Sequence, residues 1–252
     1  MSRPSRYDTI GVYYSTTRRT DPRVAAPIHA ALGAATRVVN IGAGTGSYEP
    51  TDCDVVAVEP SRTMLAQRAS RAAPAVRGVA EALPFPDDAF DAALAVLTVH
   101  HWADLERGLR EMQRVASRQV IFCFEPTFAN SLWLITDYYP EIRELGSEQA
   151  APGTERLAQT LSVQSVVAVA VPWDCVDGFG GSFWNRPEAY LDPVVQAGMS
   201  SFAQFDPAVR ARGDARLRED LDSGAWDAKY GHLRAKTEID LGYRLVTAGR
   251  VP

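Results

Sequence analysis

The sequence predicts an α/β fold, an open and mostly parallel sheet with helices on both faces. Three observations carry this reading. Short apolar runs recur at 38–41, 54–59 and 90–97, spaced widely enough for crossover connections. The first run feeds a glycine-rich turn, Gly42-Ala43-Gly44-Thr45-Gly46-Ser47, and the second ends in an acid, Glu59. An apolar strand that empties into such a turn sets a ligand site at the carboxyl end of a parallel strand.

Composition sets the bounds. The 252 residues, 46% hydrophobic and 23% charged, suit one domain of ordinary size or one core with a substantial insertion. A net charge of −5 argues against extended nucleic-acid binding. Cys53, Cys123 and Cys175 are odd in number and lack C-x-x-C spacing, so they read as reduced thiols with no zinc site or disulfide framework. Residues 1–6 are followed by no apolar region, so they are not expected to act as a signal peptide. No run reaches the roughly 18 apolar residues that span a membrane. The expectation is a cytoplasmic protein with no nucleic-acid or membrane partner and no metal.

Residues 1–37 precede the first strand. Tyr7, Tyr13, Tyr14, Arg18, Arg19, Asp21 and Arg23 crowd a segment ahead of a helix expected over 22–32, a density unusual for a terminal tail. Two readings stand: a surface helix with packed aromatics, or a lid in which Tyr14 and Arg18 close over a bound ligand. In the turn after 38–41, Gly42, Gly44 and Gly46 allow positive φ and leave no Cβ between backbone and ligand. Glu59 follows Gly42 by seventeen residues at the tip of the neighbouring strand. It is placed either to accept from both hydroxyls of a ribose or to be a solvated strand end. Ser47 stands where the dinucleotide pattern G-x-G-x-x-G has its last glycine, which counts against an NAD or FAD enzyme.

Ser61 is the expected N-cap of a helix carrying Met64, Leu65 and Arg68. A strand over 76–79 leads into a loop at Ala80-Glu81 that Pro84 and Pro86 stiffen. The strand over 90–97 ends in Thr98-Val99-His100-His101-Trp102. If it continues, alternation sends only one of the two histidines toward the site. His100 is the candidate, as a general base or acceptor-positioning group, beside the reading of a hydrogen-bonded structural histidine.

Three ordered motifs resemble the class I S-adenosylmethionine-dependent methyltransferases, in particular their type 11 group. They are Asn40 to Gly46, Val58-Glu59-Pro60-Ser61 with Met64, and Gly78 to Phe90 followed by Asp91-Ala92-Ala93-Leu94-Ala95-Val96. Together they cover about a quarter of the chain, and as an ordered set they are more specific than any single motif. The resemblance implies a Rossmann-like sheet with one antiparallel strand at its edge. It implies S-adenosyl-L-methionine as cofactor and S-adenosyl-L-homocysteine as product. Cofactor contacts then fall on Tyr14, Arg18, Asn40, Gly42, Ala43, Gly44, Glu59, Pro60, Met64, Ala80, Glu81 and Ala95. Met64 packs on the purine or in the core, and Ala80 and Glu81 offer an N–H and a carboxylate to adenine. The sequence departs from the family where Asn40 replaces a common acid, where Val79 replaces a common Asp, and where Ala116-Ser117-Arg118 replaces a Pro-Gly-Gly turn.

The spacing over 105–115 predicts an amphipathic helix, and 119–124, 164–171 and 241–248 complete seven strands. Phe128, Trp133, Asp137, Tyr138 and Tyr139 mark 126–160 as an acceptor pocket or a cap over the sheet edge. Residues 172–239 are too long for a simple connection and read as a mostly helical insertion shaping specificity. Asp174 and Asp177 within it are too few for a metal site. The chain is thus expected to be a single domain over 1–252, with a lid and two helical cap segments.

The expected activity is methyl transfer to a small-molecule acceptor at O, N or C, where holding the acceptor in line at roughly 3–3.5 Å supplies much of the acceleration. Three rivals stand beside it. They are an RNA or protein methyltransferase, a cofactor-binding cyclase or regulatory module that transfers no methyl, and a nicotinamide oxidoreductase.

Overall fold

The computed structural model describes residues 7–11 and 14–250, so residues 1–6 of the expected lid, with Tyr13, lie outside the described residues. Seven strands form the main sheet: β1 (Arg37–Ile41), β2 (Asp54–Glu59), β3 (Ala75–Arg77), β4 (Phe90–Val96), β5 (Ala116–Phe124), β6 (Val163–Ala168) and β7 (Tyr243–Gly249). Their order is β3-β2-β1-β4-β5-β7-β6. The first five pair in parallel, and β7 runs antiparallel to both β5 and β6, so the reversed strand belongs to the edge pair.

Alternation explains why the strands read as nearly continuous apolar runs: both faces are covered. On one face Val38, Ala92, Leu94, Val120 and Phe122 pack under helix α3 (Pro22–Ala31) and the cap. On the other, Val39, Ala93, Ala95, Ile121 and Cys123 pack against α5 (Leu105–Val115). Helix α5 buries Leu105, Leu109, Met112 and Val115 on one stripe, and the Asp104 carboxylate caps it by accepting the Arg107 N–H at 3.0 Å. It runs directly into β5 at Ala116, so the expected turn at 116–118 is strand instead.

The N-terminal segment expected to act as a lid holds the short helices α1 (Tyr7–Ile10) and α2 (Tyr14–Thr17), and α4 (Arg62–Ala66) follows β2. The cap holds α6 (Gly146–Gln149), α7 (Gly153–Ala158), α8 (Pro193–Ala197), α9 (Pro207–Ser223) and α10 (Ala225–Tyr230) among single helical turns. A small ladder pairs Val171–Pro172 with Glu238–Ile239 and ties off the ends of the second insertion. The expected strand over 164–171 therefore breaks after Ala168. None of the described helices is long and apolar enough to cross a membrane.

Two strand ends govern the site. At the end of β1 the backbone turns at Gly42 with φ +68°, and its N–H donates to Val58 O at 2.8 Å. An added Cβ there would sit 2.0 Å from Thr98 Oγ1. At the end of β4, Leu97 takes φ +49°, a conformation that costs a residue with a Cβ. The chain leaves the sheet there, and Val99–His101 form a single helical turn.

Candidate active site

Two adjoining cavities lie over the carboxyl ends of β1, β2 and β4. The smaller is lined by Asn40, Gly42, Ala43, Gly44, Thr45, Ser47, Tyr48 and Val96, with Tyr14 and Arg18 closing it. Glu59 lies outside that lining, buried against the glycine turn. One carboxylate oxygen accepts the Gly44 N–H and the other the Ser61 N–H, each at 2.8 Å. Two acceptor positions remain on those oxygens, as a ribose diol requires. Burial raises the pKa of Glu59 even though both amides stabilise the charge. The turn is braced from below. Arg68 donates to Gly44 O at 3.2 Å and pairs with Glu49 at 2.7 Å, and Glu49 also accepts from Asn40.

The lid is fastened by charge. Arg18 Nε and Nη2 grip Asp177 at 2.7 and 3.2 Å, while Arg18 Nη1 donates to the Tyr14 hydroxyl at 2.5 Å. The Tyr48 hydroxyl donates to Asp177 Oδ2 at 2.7 Å. Asp177 is fully buried, so this ion pair works where solvent screens it least. Asp21 forms a second latch, bonding the Arg23 side chain at 2.8 Å and the Val176 N–H at 3.0 Å. Thr17 then seats against Gly178 and Gly198, where an added Cβ would come 2.9 Å from Thr17 O and 1.7 Å from Thr17 Oγ1. Cys175 lies beneath the same loop, its Sγ 3.9 Å from Asp177 O, with a thiol that burial pushes up to about 11.

The larger cavity, of about 120 Å³, shares Tyr14 and Arg18 with the smaller one. Its walls are mostly rings and aliphatic side chains, Phe124, Leu134, Ile135, Phe179 and Tyr243 among them. Both His100 and His101 line it, their rings 3.9 Å apart. The expectation that only one histidine faces the site is corrected here. It required the strand to continue, and the Leu97 turn ends alternation before the pair. His101 Nε2 hydrogen-bonds the Tyr7 hydroxyl at 2.8 Å.

Of the residues singled out from sequence, Tyr14, Arg18, Asn40, Gly42, Ala43 and Gly44 gather in one cleft, with Glu59 against Gly44 and His100 in the adjoining cavity. Others stand elsewhere. Ala95 is corrected: its side chain is fully buried in the opposite core, and Val96, one residue on, lines the cleft. The Ala80 side chain packs in that same core. Glu81 turns its carboxylate to the start of α5, accepting from the Ala103 and Asp104 N–H groups at 2.6 and 3.1 Å. This is a structural commitment and a departure from the adenine-facing expectation. Met64 is buried between Gly11 of the lid and Gly44 of the turn, and the Pro60 carbonyl accepts from Arg77 Nε at 3.1 Å. Sequence reasoning missed Tyr48, Val96, His101 and Glu148. Strand alternation was the available signal for Val96; the others carry no local signature. Among the described residues no group of acids, histidines and cysteines is placed to hold a metal ion.

Residues 39–124 match the methyltransferase-domain family. Together with the sheet order and the acid-tipped β2, the comparisons show that the chain belongs to the class I S-adenosylmethionine-dependent methyltransferases. A structure from Anabaena variabilis, described as a methyltransferase from an antibiotic biosynthesis pathway, is 33% identical, covers 93% of this chain and 99% of its own, and superposes with a TM-score of 0.85. The demethylmenaquinone methyltransferase of Mycolicibacterium paratuberculosis is 31% identical over 51% of this chain and 58% of its own length. A tRNA (carboxymethyluridine(34)-5-O)-methyltransferase of Schizosaccharomyces pombe is 30% identical over 43% of this chain and 48% of its own. This chain spans about half the length of the curated relatives it matches.

Proposed function

We propose that the chain transfers a methyl group from S-adenosylmethionine to a small, largely apolar acceptor. One observation carries this: a polar cleft at the glycine turn and a larger, mostly apolar cavity adjoin each other and share Tyr14 and Arg18. The residues of the cleft fit the cofactor. Glu59 has acceptor positions left for a ribose diol, and the Tyr14 hydroxyl, which accepts from Arg18, keeps its own O–H to donate to an amino-acid carboxylate. When bound, S-adenosylmethionine supplies a methyl carbon made electrophilic by its sulfonium. The chain's own residues then have to hold the acceptor in line and exclude water, which the closed lid and aromatic walls are suited to do. His100, on the wall of the acceptor cavity, is the group we assign to orient the acceptor or take its proton.

Calorimetric titration with S-adenosylhomocysteine, beside NAD and beside Glu59→Ala, tests the reading. Micromolar binding that weakens about tenfold or more in the variant is expected, since charged hydrogen bonds to the ribose are lost. Binding of NAD without S-adenosylhomocysteine overturns it. Once an acceptor turns over, His100→Ala reads the histidine's role as a fall in kcat at unchanged cofactor affinity; an unchanged kcat removes His100 from the mechanism.

A further inference from the structure

One carboxylate lines the larger cavity, that of Glu148 on α6. This helix packs against the turn that carries His100 and His101. Among the described residues no hydrogen bond or ion pair reaches the carboxylate, and burial alone raises its pKa. Its charge is felt at Tyr243, another wall residue. Its neighbour on the helix is otherwise engaged: buried Ser147 accepts from Gln204 at 3.4 Å. Besides His100 and His101, the cavity is lined by one permanent cation, Arg18, which Asp177 holds at 2.7 Å and neutralises. An anion with unfilled acceptor capacity in an apolar space is costly until a donor meets it.

Resting on the methyl-transfer reading above, we propose that Glu148 selects the acceptor, taking a hydrogen bond from an O–H or N–H group on an apolar ring and rejecting rings with an anionic head group. The selection has two sides. A donor on the ligand satisfies the carboxylate, while an anion meets repulsion that Arg18, tied to Asp177, does not relieve. The aromatic walls favour a ring as the body of the ligand, because Phe124, Phe179, Phe202 and Tyr243 offer flat apolar surface. A phenol and a benzylic amine share the chemistry that Glu148 reads. They differ in whether they bring a positive charge.

Ligand-observed NMR with three probes of one shape, 4-methylphenol, 4-methylbenzylamine and 4-methylbenzoate, tests the proposal on the free protein and on the protein saturated with S-adenosylhomocysteine. The phenol or the amine is expected to bind about tenfold or more tightly than the benzoate. In Glu148→Gln an amine loses about tenfold while a phenol, which the amide oxygen still accepts, loses less; in Glu148→Leu both are lost. The benzoate gains in both variants. Unchanged affinity of the variants for S-adenosylhomocysteine shows that the fold and the neighbouring cleft are intact. The proposal is overturned if the benzoate binds as well as the others, if none of the three binds, or if Glu148→Leu leaves their order unchanged. A wild type that selects the probes as expected yet ignores S-adenosylhomocysteine sinks the cofactor reading alone, so the two failures are distinguishable.

Discussion

The sheet with its glycine turn and the cap above it are held by different forces. From β1 to β5 neighbouring strands keep parallel register, and the glycine turn between β1 and β2 is held by its own N–H groups donating to Val58 O and the Glu59 carboxylate. The cap, over 126–160 and 172–239, is held by rings. Trp133 Nε1 donates to Trp184 O at 2.8 Å, and its ring packs edge-on against Tyr138, Tyr190 and Trp226. The Tyr139 hydroxyl reaches Asp214 on α9, and an added Cβ at Gly213 would sit 2.1 Å from the Tyr139 ring. One region fixes its site through hydrogen-bond geometry and the other through packed side chains. They should therefore fail separately.

The largest test of that separation is Trp133→Ala. Emptying this buried site should cost about 3–5 kcal/mol in urea unfolding. In native buffer the affinity for S-adenosylhomocysteine should stay within about twofold, because Trp133 itself lines neither the cleft nor the adjoining cavity. A large loss of affinity would join the two regions into one.

Gly198→Ala probes the seam between lid and cap. The new Cβ collides with Thr17, so the lid has to shift at a cost of about 1–3 kcal/mol. Because Tyr14 and Arg18 ride on that segment, cofactor affinity should fall here, as calorimetry will read. Undiminished affinity would mean that the lid does not contribute to the cleft.

The smallest effect is a pH dependence carried by the cap. Burial raises the Glu148 carboxyl above its unfolded value of about 4.3. A raised carboxyl contributes stability that is fully present below the unfolded pKa and is lost as pH rises through the folded one. Glu148→Gln should therefore be more stable than wild type at neutral pH, with the gap closing as pH falls through the ordinary carboxylate range. Urea midpoints across that range check it, and a gap that widens in acid reverses the assignment.

The two regions also differ in how far they can be read from sequence. The turn at 42–46, the acid ending β2, the Ser61 cap and the helix Leu105–Val115 are local features, set by glycine's φ freedom, hydroxyl capping and apolar spacing. The cap's site groups come from tertiary contact. Arg18 and Asp177 meet across 159 residues, and the Tyr48–Asp177 bond spans 129. Nothing in either neighbourhood announces the other. His101 was hidden for a third reason: a leucine adopts a left-handed backbone at position 97, where pattern alone leads one to expect the strand to go on.

Cys175 turns the Asp177 latch into a clock. With its thiol pushed up to about 11 by burial and its sulfur fully enclosed, Cys175 stays protonated and out of reach while the loop is seated. An alkylating reagent reaches it only when the 173–181 loop lifts, so each modified molecule, located by peptide mass, records one opening. Comparing that rate with and without S-adenosylhomocysteine would time the entrance to the site without any knowledge of the acceptor.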